Sequence, residues 1–264
     1  MVHIGICGVS GRMGKAILQI LQEKGHRCSV ALDGPDSPMI GKVTALIAGP
    51  EETAVPVTTI EEASLGNTDV LIDFSAPPAT MKLLSLADRK KVPLVIGTTG
   101  FSDAEKEKIE EASRDFPILM SPNMSPGVNL LFKLTEIAAR SLDRSYDVEV
   151  YEAHHRFKKD APSGTANRLI EIVRAMEGME EAPAVHGREG MVGQRSDREI
   201  GVQCMRGGDI VGDHTVSFVT LGERIELTHR AISRDILARG AVTAAEFMQD
   251  KKKGFYTMFD VLGL

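Results

Sequence analysis

In the first half of the chain, short apolar runs rich in β-branched residues alternate with longer stretches in which apolar positions return every three or four residues. That rhythm belongs to a parallel sheet covered by helices. It predicts strands at His3–Cys7, Cys28–Leu32, Val70–Asp73, Pro93–Gly97 and Pro117–Met120. It predicts helices at Arg12–Lys24, stopped by Gly25, and around Met81–Lys90 and Ser102–Ser113.

The pattern breaks at Ser121-Pro122-Asn123-Met124-Ser125-Pro126-Gly127, whose prolines and glycine mark a loop and a domain boundary. A helix (Leu130–Leu142), a strand (Asp147–Ala153) and a further helix from near Ser163 follow. Met179–Arg198 is rich in Gly, Glu and Arg without a period, and reads as a long mobile loop. Ile200–Met205, Thr215–Leu221 and Arg224–Arg230 alternate as antiparallel strands do, with turns at Gly207-Gly208 and Leu221-Gly222-Glu223. Ile236–Met248 is a closing helix able to pack back on the first domain. The expected division is 1–125 plus 235–264 against 126–234. A mostly antiparallel open sheet with helices on one face needs a cover on the other, so self-association is expected.

A chain of 264 residues is long enough for two domains with a real core, and 42% hydrophobic with 26% charged residues is ordinary globular composition. No apolar run reaches the roughly 18 residues of a membrane span. Met1–Gly8 reads straight into a strand and a glycine turn, so no secretion signal is expected. Cys7, Cys28 and Cys204 lie far apart in strand-like runs, which suits buried free thiols in a reducing cytoplasm. The net charge of −6 argues against a nucleic-acid partner. An anionic ligand must therefore meet a local cluster of cations.

Gly8-Val9-Ser10-Gly11-Arg12-Met13-Gly14 leaves the first strand and opens the first helix, where free N–H groups can hold a pyrophosphate. Asp33 ends the second strand about 20 residues on, placed to accept hydrogen bonds from an adenosine ribose. These features make the first domain Rossmann-type and imply a nicotinamide dinucleotide. The fold class is α/β, an N-terminal Rossmann-type parallel sheet with a second α+β domain containing an open mixed or antiparallel sheet. Asp33 repels a 2′-phosphate, and neither Gly34-Pro35-Asp36 nor Phe74–Thr80 offers a cation, so NADH is expected to be preferred, with NADPH possible through Arg12. Gly97-Thr98-Thr99-Gly100 ends another strand and suits either a nicotinamide ribose contact or a plain strand-end turn.

His154-His155-Arg156-Phe157-Lys158-Lys159 concentrates histidines and cations in an acidic chain. Adjacent histidines on a strand end point to opposite sides, and no Cys or carboxylate stands at zinc spacing, so no metal is expected. Downstream, Ser163 is a good helix N-cap, and the N–H groups near Gly164 and Thr165 offer a carboxylate receptor. With Lys158 or Lys159 and His155 holding further charge, the segment fits a small dicarboxylate, and a histidine there can move a proton near neutral pH.

From Glu149 the chain reads Glu-x-x-Glu-x-His-His-Arg-x-Lys-x-Asp-x-Pro-Ser-Gly-Thr-Ala, with Lys159 the residue directly after Lys158. With Gly8–Gly14, Asp73-Phe74-Ser75, Gly97–Gly100, Ser121-Pro122-Asn123 and Ser233-Arg234, it resembles the 4-hydroxy-tetrahydrodipicolinate reductase (dihydrodipicolinate reductase) family over nearly the whole chain. The resemblance implies His154 as catalytic proton donor and acceptor and Lys158 as catalytic lysine. It implies His155, Gly164 and Thr165 as substrate contacts. It implies Gly8, Val9, Ser10, Gly11, Arg12, Met13, Asp33, Gly97, Thr98, Thr99, Ser121, Pro122, Asn123 and Met124 as cofactor contacts. The implied reaction is hydride delivery from nicotinamide C4 to C4 of the dehydrated cyclic imine, with protonation at the neighbouring carbon, in diaminopimelate and lysine biosynthesis. Homotetramers joined through the second domain's sheet are also implied. Gly34 stands where members that tolerate NADPH often carry Arg, and Phe157 where many carry another His. Two other readings remain: another two-domain nicotinamide oxidoreductase of a small amino or imino acid, and a redox-sensing binding protein without turnover.

Overall fold

The computed structural model describes residues 1–49 and 54–264. In chain order the elements are β1 (His3–Cys7), α1 (Arg12–Lys24), β2 (Arg27–Leu32), α2 (Ala45–Ala48), β3 (Val57–Thr58), β4 (Val70–Asp73) and α3 (Pro77–Lys90). Then come β5 (Leu94–Ile96), α4 (Asp103–Ala112), β6 (Pro117–Met120), α5 (Pro126–Ser141), β7 (Asp147–His154) and α6 (Gly164–Arg174). The chain ends with β8 (Ala184–His186), β9 (Ile200–Arg206), β10 (Gly212–Thr220), β11 (Glu223–Ala231), α7 (Asp235–Met248), β12 (Gly254–Tyr256) and α8 (Met258–Leu262). It divides into two compact units, residues 1–126 with 235–264 and residues 127–234.

The first unit carries a seven-stranded, all-parallel sheet in the order β12-β6-β5-β4-β1-β2-β3. Alternation sends successive residues to opposite faces. Val70 and Ile72 join Ile17, Leu18 and Leu21 of α1 and Ala241, Val242 and Ala245 of α7, while Leu71, Leu94 and Ile96 join Leu83 and Ala87 of α3 and Ile109 of α4. Each fully buried Leu or Ile contributes about 1.5–3 kcal/mol, so these layers outweigh any single polar contact in holding the unit together. Helix α3 starts at Pro77, earlier than the apolar pattern suggests, because proline is favoured where the N–H has no intrahelical partner.

Helix α7 lies on the α1 face of this sheet. A Cβ at Gly240 would come 1.8 Å from the Met124 carbonyl oxygen, so the glycine lets the helix rest on the backbone that follows β6. Glu246 fixes the other side, accepting from Lys24 at 2.7 Å and pairing with His26 at 2.7 Å. Among the described residues, no helix is long and apolar enough to cross a membrane.

The second unit holds a five-stranded sheet, β11-β10-β7-β9-β8. It is mixed rather than mostly antiparallel: β10 pairs antiparallel with β7 and β11, but β9 runs parallel to β7 and β8. The alternation in Ile200–Met205 fixes which side chains face inward and leaves strand direction open. Nor is Met179–Arg198 a featureless loop. It contains β8, and its arginines reach back to β7, with Arg195 2.8 Å from Asp147 and 3.3 Å from Glu149 and Arg188 3.2 Å from Glu149.

Helix α6 covers one face of this sheet with Ala166, Leu169, Ile170 and Val173. Val148, Val150, Glu152 and His154 recur at period two on β7, and all are buried. A carboxylate and an imidazole thus occupy positions that the pattern reserves for apolar side chains. Cys7 and Cys28 are buried and form no disulfide, whereas Cys204, expected to be buried too, is exposed.

Candidate active site

The β1–α1 turn is shaped for close approach of backbone to a ligand. Gly8 has φ +80°, and a Cβ there would lie 2.4 Å from the Phe74 carbonyl oxygen. A Cβ at Gly14 would meet the Gly8 and Val9 carbonyl oxygens at 2.4 Å, so that glycine serves helix packing. Gly11 is the N-cap of α1, with no side-chain cap bond and no acid in the first turn, which leaves the helix's positive end to an anion. This cradle fits a pyrophosphate.

The strand order reverses direction of winding between β1 and β4, the usual crevice for a nucleotide in such sheets. A cleft of about 240 Å³ opens there, lined among others by Gly8, Asp33, Gly34, Ser75, Glu61 and Lys82. Asp33 accepts from the Ser10 hydroxyl and amide, from Ser37 Oγ at 2.9 Å and from the Gly34 amide at 2.9 Å. Thr98 spends its hydroxyl internally, donating to buried Asp73 at 2.9 Å and accepting from the Ser75 amide at 2.9 Å. Burial pushes Asp73 above the usual carboxylate range against the hydroxyls of Ser75, Thr80 and Thr98. Gly97 is packed against the Phe74 ring, where a Cβ would come within 2.3 Å. Ser121 donates to the Asn123 carbonyl at 2.8 Å, and the Asn123 side chain accepts from the Ser125 amide at 2.8 Å, which shapes the Ser121–Met124 turn over α7.

In the second unit the histidines separate as adjacent strand-end residues do. His154 is buried against β10, and its Nδ1 lies 2.5 Å from Glu152 Oε2. Glu152 itself has no exposed surface and organises everything around it. It receives a fork from Arg206 at 2.9 and 2.7 Å and the Ser163 amide at 3.3 Å. Arg206 in turn donates to the Asp160 carbonyl at 2.8 Å. One carboxylate therefore ties the end of β7, the end of β9, the basic loop and the start of α6 to one point.

With Nδ1 committed to Glu152, the nitrogen left for chemistry is Nε2. It faces Gly212, where an added Cβ would stand 3.1 Å away, so the absence of a side chain keeps Nε2 accessible. Burial lowers the His154 pKa below the ordinary histidine value, partly opposed by Glu152 and reinforced by the charges of Lys158 and Arg206. Burial would raise Glu152, but the bonds from Arg206 and His154 win and hold it below the usual range. His214 packs edge-on to His154 at 5.1 Å between ring centroids, and burial, with the His154 charge next, takes its pKa down to about 3. It stays neutral and bonds Ser163 Oγ at 3.0 Å.

Ser163 caps α6, accepting from the Ala166 amide at 3.2 Å, and the first turn carries no acid. Nothing lies within 4 Å of a Cβ built at Gly164, so no side chain crowds the start of α6 there. Lys158 pairs with exposed Asp160 at 2.9 Å. His155 sits apart from the Glu152 cluster, with its ring near Phe157 and a buried Nδ1 that bonds to nothing in the protein. Lys159 is exposed. Among the described residues no group of three His, Cys, Asp or Glu could hold a metal ion.

Sequence reasoning assigned no role to Glu152, Arg206, His214, Gly212 or Lys82. The available signal for Glu152 was an acid two residues before a histidine on one strand face, which the period-two pattern disguises as an ordinary inward position. Replacing Glu152 by Gln is expected to lower kcat by about tenfold at neutral pH, a fraction of the roughly 10²–10⁴ that complete loss of a general acid costs. Glu152 raises the His154 pKa, so its loss moves the alkaline fall of kcat to lower pH. A pH profile of kcat for the variant checks this, and an unmoved alkaline limb counts against the coupling.

A parallel sheet in nucleotide-binding order with a glycine cradle, and a buried histidine beside an open helix start, define the class: two-unit nicotinamide-dependent oxidoreductases acting on small anions. Fold alone stops there, since an amine dehydrogenase from Mycobacterium smegmatis shares the plan at TM-score 0.60 and 10% identity over 97% of this chain and 95% of that one. A dipicolinate-bound dihydrodipicolinate reductase from Paenisporosarcina sp. TG-14 matches at TM-score 0.77 with 22% identity over 98% of each chain. Sequence is more specific. Family models for the N-terminus and C-terminus of dihydrodipicolinate reductase match residues 2–124 and 127–262. The 4-hydroxy-tetrahydrodipicolinate reductase of Aquifex aeolicus (strain VF5) is 52% identical over 268 residues, covering 100% of this chain and 99% of that one. That of Cupriavidus pinatubonensis (strain JMP 134 / LMG 1197) is 49% identical over 265 residues, covering both chains fully. The chain belongs to the dihydrodipicolinate reductase family, NAD(P)H-dependent oxidoreductases of diaminopimelate and lysine biosynthesis.

Proposed function

We propose that this chain reduces (2S,4S)-4-hydroxy-2,3,4,5-tetrahydrodipicolinate to 2,3,4,5-tetrahydrodipicolinate, with His154 as proton donor and Lys158, His155, Gly164 and Thr165 holding the substrate. The observation that carries the reading is the Glu152 junction, which fixes a proton-carrying imidazole and an anion-binding helix start as one rigid group. The α6 amides near Gly164, the Thr165 hydroxyl and Lys158 receive the carboxylates. Lys158 is held by one partner, the exposed carboxylate of Asp160, and can exchange it for a substrate carboxylate. In the free chain the lowered pKa keeps His154 neutral at pH 7. A dianion arriving beside it favours the imidazolium; once the 4-hydroxyl has left as water, giving the dehydrated cyclic imine, and C4 has taken the hydride, the proton passes from Nε2 to the carbon next to C4.

The residues of the first unit suit NAD(P)H, which when bound supplies the hydride. Gly8, Val9, Ser10, Gly11, Arg12 and Met13 hold its pyrophosphate, Asp33 its adenosine ribose, and Gly97, Thr98, Thr99, Ser121, Pro122, Asn123 and Met124 the nicotinamide end. Asp33 beside a side-chain-free Gly34 favours NADH. Gly34 has no positive φ and nothing within 4 Å of its Cβ position, so Gly34→Arg introduces a cation without strain. The variant's NADPH-to-NADH ratio of kcat/KM is expected to rise by about tenfold, the worth of one charge-assisted contact to a 2′-phosphate. An unchanged ratio removes this position from cofactor choice.

The reading includes a cytoplasmic setting, in line with three free cysteines, and a homotetramer joined through the second unit's sheet. Tyr151 and Met205 stand exposed on the sheet face opposite α6, joined by a bond from Tyr151 Oη to Met205 Sδ at 3.1 Å. The test of the reaction is a steady-state assay on freshly generated pathway intermediate with NADH and NADPH. Turnover with neither overturns the proposal.

A further inference from the structure

The cleft at Asp33 contains a cation that the loop sequence does not reveal. Lys82 lies two residues beyond Thr80 on α3, at the rim where its neighbours Leu83 and Leu84 turn into the core. Its Nζ is 2.7 Å from Glu61, another wall of the same cleft, and the two side chains are 61% and 57% exposed. The charged side chains lining it are thus two carboxylates, Asp33 and Glu61, and one ammonium, Lys82. Asp33 is fully engaged by Ser10, Gly34 and Ser37. Lys82 has a single, solvent-exposed partner, and such a pair is cheap to exchange.

We propose that Lys82 and Glu61 form a selector for the 2′ substituent of the adenosine ribose, with Lys82 as the cation that recognises a 2′-phosphate. The inference rests on the reading that this cleft holds the adenosine of the cofactor. A 2′-hydroxyl leaves the Lys82–Glu61 pair closed. A 2′-phosphate dianion offers Lys82 a stronger, charge-assisted partner, and the ammonium turns from Glu61 to the phosphate. Glu61 acts in the opposite sense, since its carboxylate competes for Lys82 and repels the phosphate. NADPH use in a chain with Asp33 and Gly34 then depends on how firmly Glu61 holds the lysine.

The test is calorimetric titration of the full chain with 2′,5′-ADP and with 5′-AMP, in the wild type, Lys82→Gln, Glu61→Gln and Asp33→Asn. Both Lys82 and Glu61 are surface residues, so the variants keep the core intact. Lys82→Gln is expected to lower the ratio of 2′,5′-ADP to 5′-AMP affinity by about tenfold, and Glu61→Gln to raise it several-fold. The NADPH-to-NADH ratio of kcat/KM should move in the same two directions. A Lys82→Gln ratio equal to wild type, or a Glu61→Gln ratio that falls, overturns the selector. Asp33→Asn distinguishes loss of the adenosine site from loss of the selector. If it leaves 5′-AMP affinity unchanged, the cleft is not the adenosine site and the underlying reading fails. If it weakens 5′-AMP while Lys82→Gln does not discriminate, only the selector fails.

Discussion

His154→Ala is expected to reduce kcat by about 10²–10⁴ while NADH affinity stays within about twofold of wild type. The magnitude follows from the loss of a positioned acid whose other nitrogen is fixed by Glu152. The imidazole is buried in the second unit, whereas the glycine cradle and the Asp33 cleft are built wholly from the first, so cofactor affinity has no reason to change. Truncation also leaves Glu152 without one of its donors, although the Arg206 fork and the Ser163 amide still satisfy it. The variant should therefore fold. Stopped turnover with normal NADH binding supports the assignment, and unchanged turnover removes His154 from the chemistry.

Lys158→Met is expected to raise KM for the substrate and lower kcat, with kcat/KM falling by about 10²–10³, the cost of roughly 3–4 kcal/mol of charge-assisted binding in the transition state. Methionine keeps the apolar stem and deletes only the ammonium. The lysine's charge also helps depress the His154 pKa, after burial. Its removal raises that pKa, so the alkaline limb of kcat should move to higher pH, opposite to the shift expected for Glu152→Gln. A lysine that merely pinned Asp160 would leave KM unchanged, whereas the limb reads only its charge beside His154. Normal kinetics in Lys158→Met count against its role.

Much of the first unit was legible because its signals are local. The Gly8–Gly14 turn, its strand and its helix lie within one short stretch, and each glycine answers a steric need readable from spacing. The basic loop and the Ser163 cap were legible for the same reason. What the sequence hid is long-range. Arg206 meets Glu152 across the β7–β9 pairing, and nothing near either residue announces the other. The parallel direction of β9 escaped because alternation fixes facing and not polarity. Strand β12 spans only Gly254–Tyr256, too short to show a period. Cys204 fits an inward position by pattern, yet it is exposed on the second half of β9, where the burial of Ile200 and Val202 does not continue. Lys82 lies beyond the loop that follows β4, and only the winding of α3 brings its second turn to the cleft.

The most direct measurement is a crystal structure of the chain with NADH and pyridine-2,6-dicarboxylate, a planar dianion of the substrate's shape. One carboxylate of the ring is expected on the Gly164 amide and the Thr165 hydroxyl, with Lys158 turned from Asp160 towards the ligand and His154 Nε2 facing the ring while Nδ1 stays on Glu152. A ring bound elsewhere, with the Gly164 amide and Lys158 left to bulk water, would contradict this arrangement.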